Sequence, residues 1–311
     1  MEQKVKIFLF HRVSPERSLL WDPMSPELFR RIVKYIARNF DVQSFEDLFL
    51  SNDIEGNNKP KACISFDDGY ADFISYALPI LDEYKLKSSL YVVTECADKG
   101  LPPWTYMLDN AFINSGKKDA SVLSDVLEIS KDKLRWSGSN ERILYGKFLK
   151  PQLKKMPDNK RRFIFNELIR FFDDVNLPQG MMLNWEEINQ LVNAGVVIGS
   201  HTVSHPLLAN IEDDKVVMEE LEGSACIIKQ KTGINPLCIS YPVGSYNERI
   251  IDLSVKAGYK LGLAVDNKIY RGGLSPAFNI PRIELYNEGY VKSILRIKGG
   301  IAFAKKILRQ F

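Results

Sequence analysis

Histidine is scarce in this 311-residue chain: there are three, His11, His201 and His205, so where they fall is informative. Cysteine is nearly as rare, with Cys63, Cys96, Cys226 and Cys238 only. No two of them stand in C-x-x-C spacing, and each lies in or beside an apolar stretch. They read as buried free thiols rather than disulfides, which suits a reducing compartment. Long hydrophobic runs are missing too. The first apolar run, Ile7 to Phe10, is too short for a signal sequence or a membrane span, so a cytoplasmic setting is expected. An excess of one charge is also absent: 42 basic residues face 39 acidic ones, for a net charge of +3, which argues against nucleic-acid binding. No internal repeat or low-complexity tract stands out. What is abundant is apolar side chain, 45% of residues, enough for one large core.

Short β-type runs alternate with helical patterns along most of the chain. The runs are Val5 to Phe10, Ala62 to Phe66, Ser89 to Thr94, Val196 to Ser200, Leu237 to Tyr241 and Leu261 to Val265. Amphipathic segments at Ala71 to Tyr84, Trp185 to Ala194, Asp213 to Thr232 and Glu248 to Ala257 lie between several of them. This alternation predicts an α/β protein with a parallel sheet, open or closed into a barrel, and functional residues at the carboxyl ends of strands. The stretch from about 100 to 180 breaks the rhythm with mainly helical patterns, among them Arg161 to Phe172, and reads as a helical insertion in a single domain spanning 1–311.

All three histidines fall at predicted strand ends. His201 and His205 occur in Ser200-His201-Thr202-Val203-Ser204-His205-Pro206, after the apolar run Val196 to Ile198. An i, i+4 pair converges on one metal if the segment turns helically, while Pro206 biases His205 away from the α region. The other reading is two histidines that are merely neighbours. Asp67 and Asp68, in Ser65-Phe66-Asp67-Asp68-Gly69, follow another strand and precede a helix. Capping that helix would employ one carboxylate. Two adjacent carboxylates raise each other's pKa unless a cation or proton relieves them. One carboxylate with two imidazoles is the donor set of an open catalytic Zn2+ site, which frees the second acid to act as base.

Ser-Phe-Asp-Asp-Gly resembles the first motif of the polysaccharide deacetylase family (NodB homology, carbohydrate esterase family 4). The stretch His201 to Pro206 resembles its second motif, H-[ST]-x-x-H-P, and Ser240-Tyr241-Pro242-Val243-Gly244-Ser245-Tyr246-Asn247 is similar to the third. The resemblance runs from about residue 5 to 285, with 100 to 180 as an extra. It implies a distorted (β/α) barrel of about seven strands in which Asp68, His201 and His205 bind a divalent metal. Zn2+ is the expected ion, with Ni2+, Co2+ or Fe2+ as alternatives, and Asp67 is the expected base. Two departures stand out. The family's arginine that orients the base is replaced by Ser240; Arg282, in Ile280-Pro281-Arg282-Ile283, takes that role or forms a structural salt bridge. The family's late histidine acid has no counterpart after His205. His11, in Phe8-Leu9-Phe10-His11-Arg12-Val13, resembles an N-terminal motif of the poly-N-acetylglucosamine deacetylase branch, which implies that it is the acid. The backbone amide of Val243 is the oxyanion donor by the same resemblance.

The expected activity is removal of the N-acetyl group from an amino sugar in a glycan or glycan precursor. A deacylase acting on another acyl group such as formyl, and an inactive glycan-binding protein on the same fold, are the alternatives. A phosphoacceptor receiver domain would use paired acids but has no need of the paired histidines. Trp104, Trp185 and Tyr246 are candidates for stacking on a sugar face, against the alternative of core packing. Without an export signal the expected substrates are lipid-linked or activated sugars. The segment 291 to 311 interleaves apolar residues with Lys and Arg, as a helix lying on an anionic membrane or packing on the barrel would.

Overall fold

The computed structural model describes residues 5–50, 59–272 and 277–300. The first half of the barrel contains β1 (Lys6–Phe10), α1 (Pro26–Asn39), β2 (Asp41–Val42), α2 (Phe45–Leu50), β3 (Lys61–Phe66), α3 (Leu78–Glu83) and β4 (Ser89–Val92). Helices α4 (Thr94–Lys99), α5 (Trp104–Asn114), α6 (Ser124–Leu127), α7 (Ser139–Leu153) and α8 (Asp158–Phe171) follow. The second half contains α9 (Trp185–Asn193), β5 (Val197–Ser200), α10 (Asp214–Thr232), β6 (Cys238–Ser240), α11 (Glu248–Lys256), β7 (Leu261–Leu263), β8 (Ile283–Glu284) and α12 (Tyr290–Ile297).

Every ladder is parallel, in the order β7-β6-β5-β4-β3-β1-β8, and β2 pairs with β3 off this path. All six residues of β3 and the last four of β1 are buried, the continuous burial expected of parallel strands covered on both faces. β1 occupies one edge of β3 over Ala62 to Phe66, so β2 and β4 divide the other edge between its start and its end. The segment 280–285 completes the ring. Ala264 donates its amide to Ile280 on the β7 side, and Leu285 donates to Leu9 on the β1 side. Such closure makes the distorted barrel expected from the sequence.

Local sequence explains the outer helices. In α1 the Ser25 side chain accepts from Leu28 N–H, Pro26 opens the first turn, and Phe29, Ile32, Val33 and Ile36 share the buried stripe. Burying each such side chain stabilises by roughly 1.5–3 kcal/mol. Between β3 and α3 the chain forms a π-helical turn, Phe73–Ala77, where the periodicity predicts one continuous helix. The helices of the 100 to 180 region bury a core of their own, including Leu108, Phe112, Leu134, Leu149, Leu153 and Leu168. Leu207, from the loop after β5, joins that core and ties the two bodies together.

Three cysteines, Cys63, Cys96 and Cys238, are buried, but Cys226 is exposed on α10. The expectation of four buried thiols is corrected there, because Cys226 lies off the stripe Val217, Leu221 and Ile228. No helix of the described residues is long and apolar enough to cross a membrane. Of the segment 291 to 311, residues 301–311 lie outside the described residues. The described α12 buries Ser293 and Ile297, and its Tyr290 ring lies under the Arg31 guanidinium at 4.2 Å.

Candidate metal centre and active site

Strand register gathers the site. Phe10 pairs with Phe66, and Asp67 N–H donates to Phe10 O, so His11 and Asp67 leave adjacent strands at one level. Val92 pairs with Ser200 and His201 N–H donates to Val92 O, which sets His201 at the same level one strand beyond β4. Ser200 pairs with Ile239 in β6, and Ser240 O receives the His201 Nδ1 proton at 2.7 Å. A carbonyl only accepts, so this bond fixes the tautomer and turns the Nε2 lone pair toward the carboxylates.

Asp68, His201 and His205 are all buried, with ligand atoms within 4.8 Å of one another. Asp68 Oδ1 stands 3.3 Å from His201 Nε2 and 3.4 Å from His205 Nε2. That oxygen is nonetheless without a hydrogen bond, as is His205 Nδ1. A buried carboxylate oxygen left unbonded between two imidazole nitrogens is costly as it stands and well suited to a divalent cation. The residues present therefore fit a metal. Burial would raise the Asp68 carboxyl, but His201 and His205 overcome it and hold it well below the usual carboxylate range. Burial also lowers His205. The acids Asp67 and Asp68 raise His201 against the same burial effect.

The two imidazoles meet with ring centroids 5.0 Å apart, but no helical turn brings them together. Thr202 and His205 adopt left-handed backbone at φ 68° and 59°. Such conformations cost about 1–3 kcal/mol each and need over-determination by the surroundings. Here Thr202 Oγ1 accepts from His205 N–H, and the Trp104 indole N–H donates to His205 O. Glu220, on α10, accepts the amides of Val203 and Ser204 on one oxygen and the Ser204 hydroxyl on the other.

Asp67 is held by Arg282. The guanidinium donates to both carboxylate oxygens at 2.7 Å, to Ser240 Oγ at 2.8 Å and to Ala264 O at 3.1 Å. Ser240 Oγ in turn donates to Asp67 Oδ2 at 3.0 Å. Ser240 thus lies in the arginine–acid contact, and Arg282, which is fully buried just before β8, reaches the acid from the far side of the ring. Burial would raise Asp67, yet the Arg282 charge outweighs it and leaves Asp67 lowered.

Asp67, Asp68, His11, His201, His205 and Val243 line one cleft of about 240 Å³. His11 meets Trp21 edge-on at 5.3 Å, and its Nδ1 lies 3.9 Å from Glu284 Oε1. Val243 stands beside them with φ 57°. The three proposed stacking aromatics are not brought to this cleft. Trp104 is buried behind it, occupied by His205 O and by Arg161, whose guanidinium lies 4.5 Å from its ring. Trp185 packs on the barrel core and donates to Asp98. Tyr246 stacks on Tyr241 at 5.1 Å. The aromatics that do line the cleft are Trp21 and Tyr106.

Sequence reasoning missed Glu220, Glu284, Trp21, Tyr106, Asp109, Lys150 and Lys154. Only Glu220 carried a signal, an acid within the buried stripe Val217, Leu221, Ser224 and Ile228. Trp21 comes from a loop, Glu284 from the two-residue β8 and the rest from the insertion, where nothing local marks them.

A near-closed parallel barrel with a buried Asp-His-His cluster at its mouth, beside an acid gripped by arginine, defines a NodB-like deacetylase fold with a candidate metal centre. The family model for polysaccharide deacetylases matches residues 55–262, and the chain belongs to that family. It is 30% identical over 87 residues to YxkH of Bacillus subtilis (strain 168), which carries the name of a polysaccharide deacetylase. That match spans 27% of this chain and 30% of the relative, less than a third of its length. Among solved structures it is similar to the Streptococcus pyogenes deacetylase PplD, with a TM-score of 0.59, 19% identity, and 96% of this chain and 99% of that one covered. A de-N-acetylase from Aggregatibacter actinomycetemcomitans has a TM-score of 0.60 at 16% identity, covering 94% and 99%.

Proposed function

We propose that this chain hydrolyses the acetamide of an N-acetylated amino sugar, with Asp68, His201 and His205 holding a divalent ion, Zn2+ by the chemistry of the donors. The observation that carries this reading is the pairing, in one cleft, of an open cation site with an ionised acid that is not needed as a ligand. A bound divalent cation supplies Lewis acidity, acidifying water and polarising a carbonyl.

The chain's own residues do the rest. Asp67 takes a proton from the attacking water as its oxygen bonds to the acetamide carbon. Arg282 and Ser240 both donate to Asp67 Oδ2, whereas Oδ1 accepts from Arg282 alone and keeps a lone pair for that proton. The Val243 N–H donates to the oxyanion that develops on the former carbonyl oxygen. His11 delivers a proton to the sugar nitrogen as the C–N bond breaks, giving acetate and a free amine. Glu284 Oε1 stands 3.9 Å from His11 Nδ1, on the same side of the cleft. PplD is described in complex with acetate, the product expected here.

Acetate release from N-acetylated oligosaccharides, lipid-linked sugars and nucleotide sugars, with metal-loaded protein, tests the reading. Turnover that disappears in Asp67→Asn supports it. A wild-type protein that binds one metal ion yet releases acetate from none of them overturns it. Metal content tests the ligands separately: Asp68→Ala or His205→Ala with full stoichiometry removes the assignment.

A further inference from the structure

The insertion does more than decorate the barrel, since it is clamped to the loop that carries His205. Asn210 donates through Nδ2 to Lys154 O at 3.0 Å and to Met156 O at 2.8 Å. Trp104 donates to His205 O, and Leu207 is buried in the insertion's own core. The end of α7 is therefore held in register with the metal ligands, and it puts two ammonium groups, Lys150 and Lys154, into the lining of the cleft.

These two lysines are not equivalent. Lys150 is neutralised by Asp109 at 2.5 Å, a pair that is mostly buried. Lys154 has no such partner: among the described residues no carboxylate lies within 4.0 Å of its ammonium. Burial and the like charge of Lys150 lower its pKa, while Asp109, Glu284 and Asp68 act on it only through space. Outside the Arg282–Asp67 and Lys150–Asp109 pairs, the carboxylates lining the cleft are Asp68, at the metal centre, and Glu284, and neither forms an ion pair with Lys154. A half-buried, prepositioned cation with no internal counterion, beside the reacting centre, has an open valence for an anion from outside.

We propose that Lys154 recognises an anionic substituent, a carboxylate or a phosphate, on the N-acetylated sugar, so that the cleft takes acidic rather than neutral amino sugars. The identity of the sugar as substrate rests on the deacetylase reading above; the anion preference is a binding property and is measured without turnover.

Calorimetric titration of the metal-loaded full chain, as Asp67→Asn to prevent hydrolysis, compares three probes. They are N-acetylglucosamine disaccharide, an N-acetylglucosamine–glucuronate disaccharide and N-acetylglucosamine 1-phosphate. The expected result is about 10- to 100-fold tighter binding of at least one anionic probe than of the neutral one. Lys154→Met is expected to erase that preference and Lys154→Arg to keep part of it. Which anionic probe gains distinguishes carboxylate from phosphate. Equal affinities for all three, or a preference that survives Lys154→Met because the metal alone supplies it, overturns the proposal. Thermal unfolding of Lys154→Met at the wild-type temperature shows that the variant is folded; should it not be, Lys154→Gln takes its place in the same comparison. Loss of acetate release from every sugar with the anion preference intact would refute the deacetylase reading and leave the recognition site standing.

Discussion

Arg282→Met is expected to destabilise the barrel in a pH-dependent way. Arg282 and Asp67 are 0% and 1% exposed, so removing the guanidinium leaves a buried carboxylate without its cation. Breaking such a pair costs roughly 3–5 kcal/mol, which for a chain of this size corresponds to a melting temperature lower by on the order of 10 °C. The sign follows from linkage. In the native protein Asp67 is lowered, with burial opposed first by Arg282 and then by His201. Its contribution is therefore present above the unfolded carboxylate value of about 3.9 and is lost as pH falls through the lower folded value. In the variant, burial loses its main opponent and the folded value rises above the unfolded one. The folded variant then binds the extra proton, and its stability falls as pH rises through that window. The deficit relative to wild type should thus be small near pH 4 and largest at pH 7–8, apart from a pH-independent part from the Ala264 carbonyl and Ser240 hydroxyl that lose their donor. Thermal unfolding across pH, with chelator present so that metal binding does not contribute, measures this. Asp67→Asn added to Arg282→Met should recover much of the loss at neutral pH. An equal deficit at both ends of the pH range, or a loss under about 1 kcal/mol, would refute the reasoning.

Three further outcomes are expected. His11→Ala should retain metal by elemental analysis but lose about 10²- to 10⁴-fold in turnover, and an active variant would remove His11 from the proton transfer. Glu220→Ala should leave the Val203 and Ser204 amides without their acceptor and weaken metal affinity about 10- to 100-fold, read by competition with a chromogenic chelator; unchanged affinity would mean the loop holds its shape alone. Gly199→Ala would place a methyl 2.3 Å from the Tyr91 ring and 3.2 Å from Cys238 O, so it should cost about 1–3 kcal/mol by denaturant unfolding or prevent folding.

The candidate metal centre of this chain was legible where it was written locally. Asp67, Asp68, His201 and His205 stand at the ends of apolar runs that are recognisably strands, and parallel strands deliver their carboxyl ends to one mouth. The alternation of runs and amphipathic segments was sufficient to indicate a parallel sheet, open or closed, and the resemblance to the deacetylase family implied the barrel. β2, of two residues, and β8, also of two, gave no periodicity to detect. The helical convergence expected for His201 and His205 was replaced by two left-handed residues, because Glu220 and Trp104 hold the loop more firmly than local propensity directs it.

What sequence alone determined was therefore the set of candidate site residues and the strands that bear them, since both depend on short-range pattern. What only tertiary structure decided was which group from a distant strand meets which. Arg282 reaches Asp67 across the closing segment of the ring. Lys154 enters the cleft because Asn210 fixes the end of its helix. Trp104, an apparent sugar platform, is turned to the backbone of His205. Contacts of this kind are set by barrel closure and by the docking of one core on another, and a linear pattern carries no record of either.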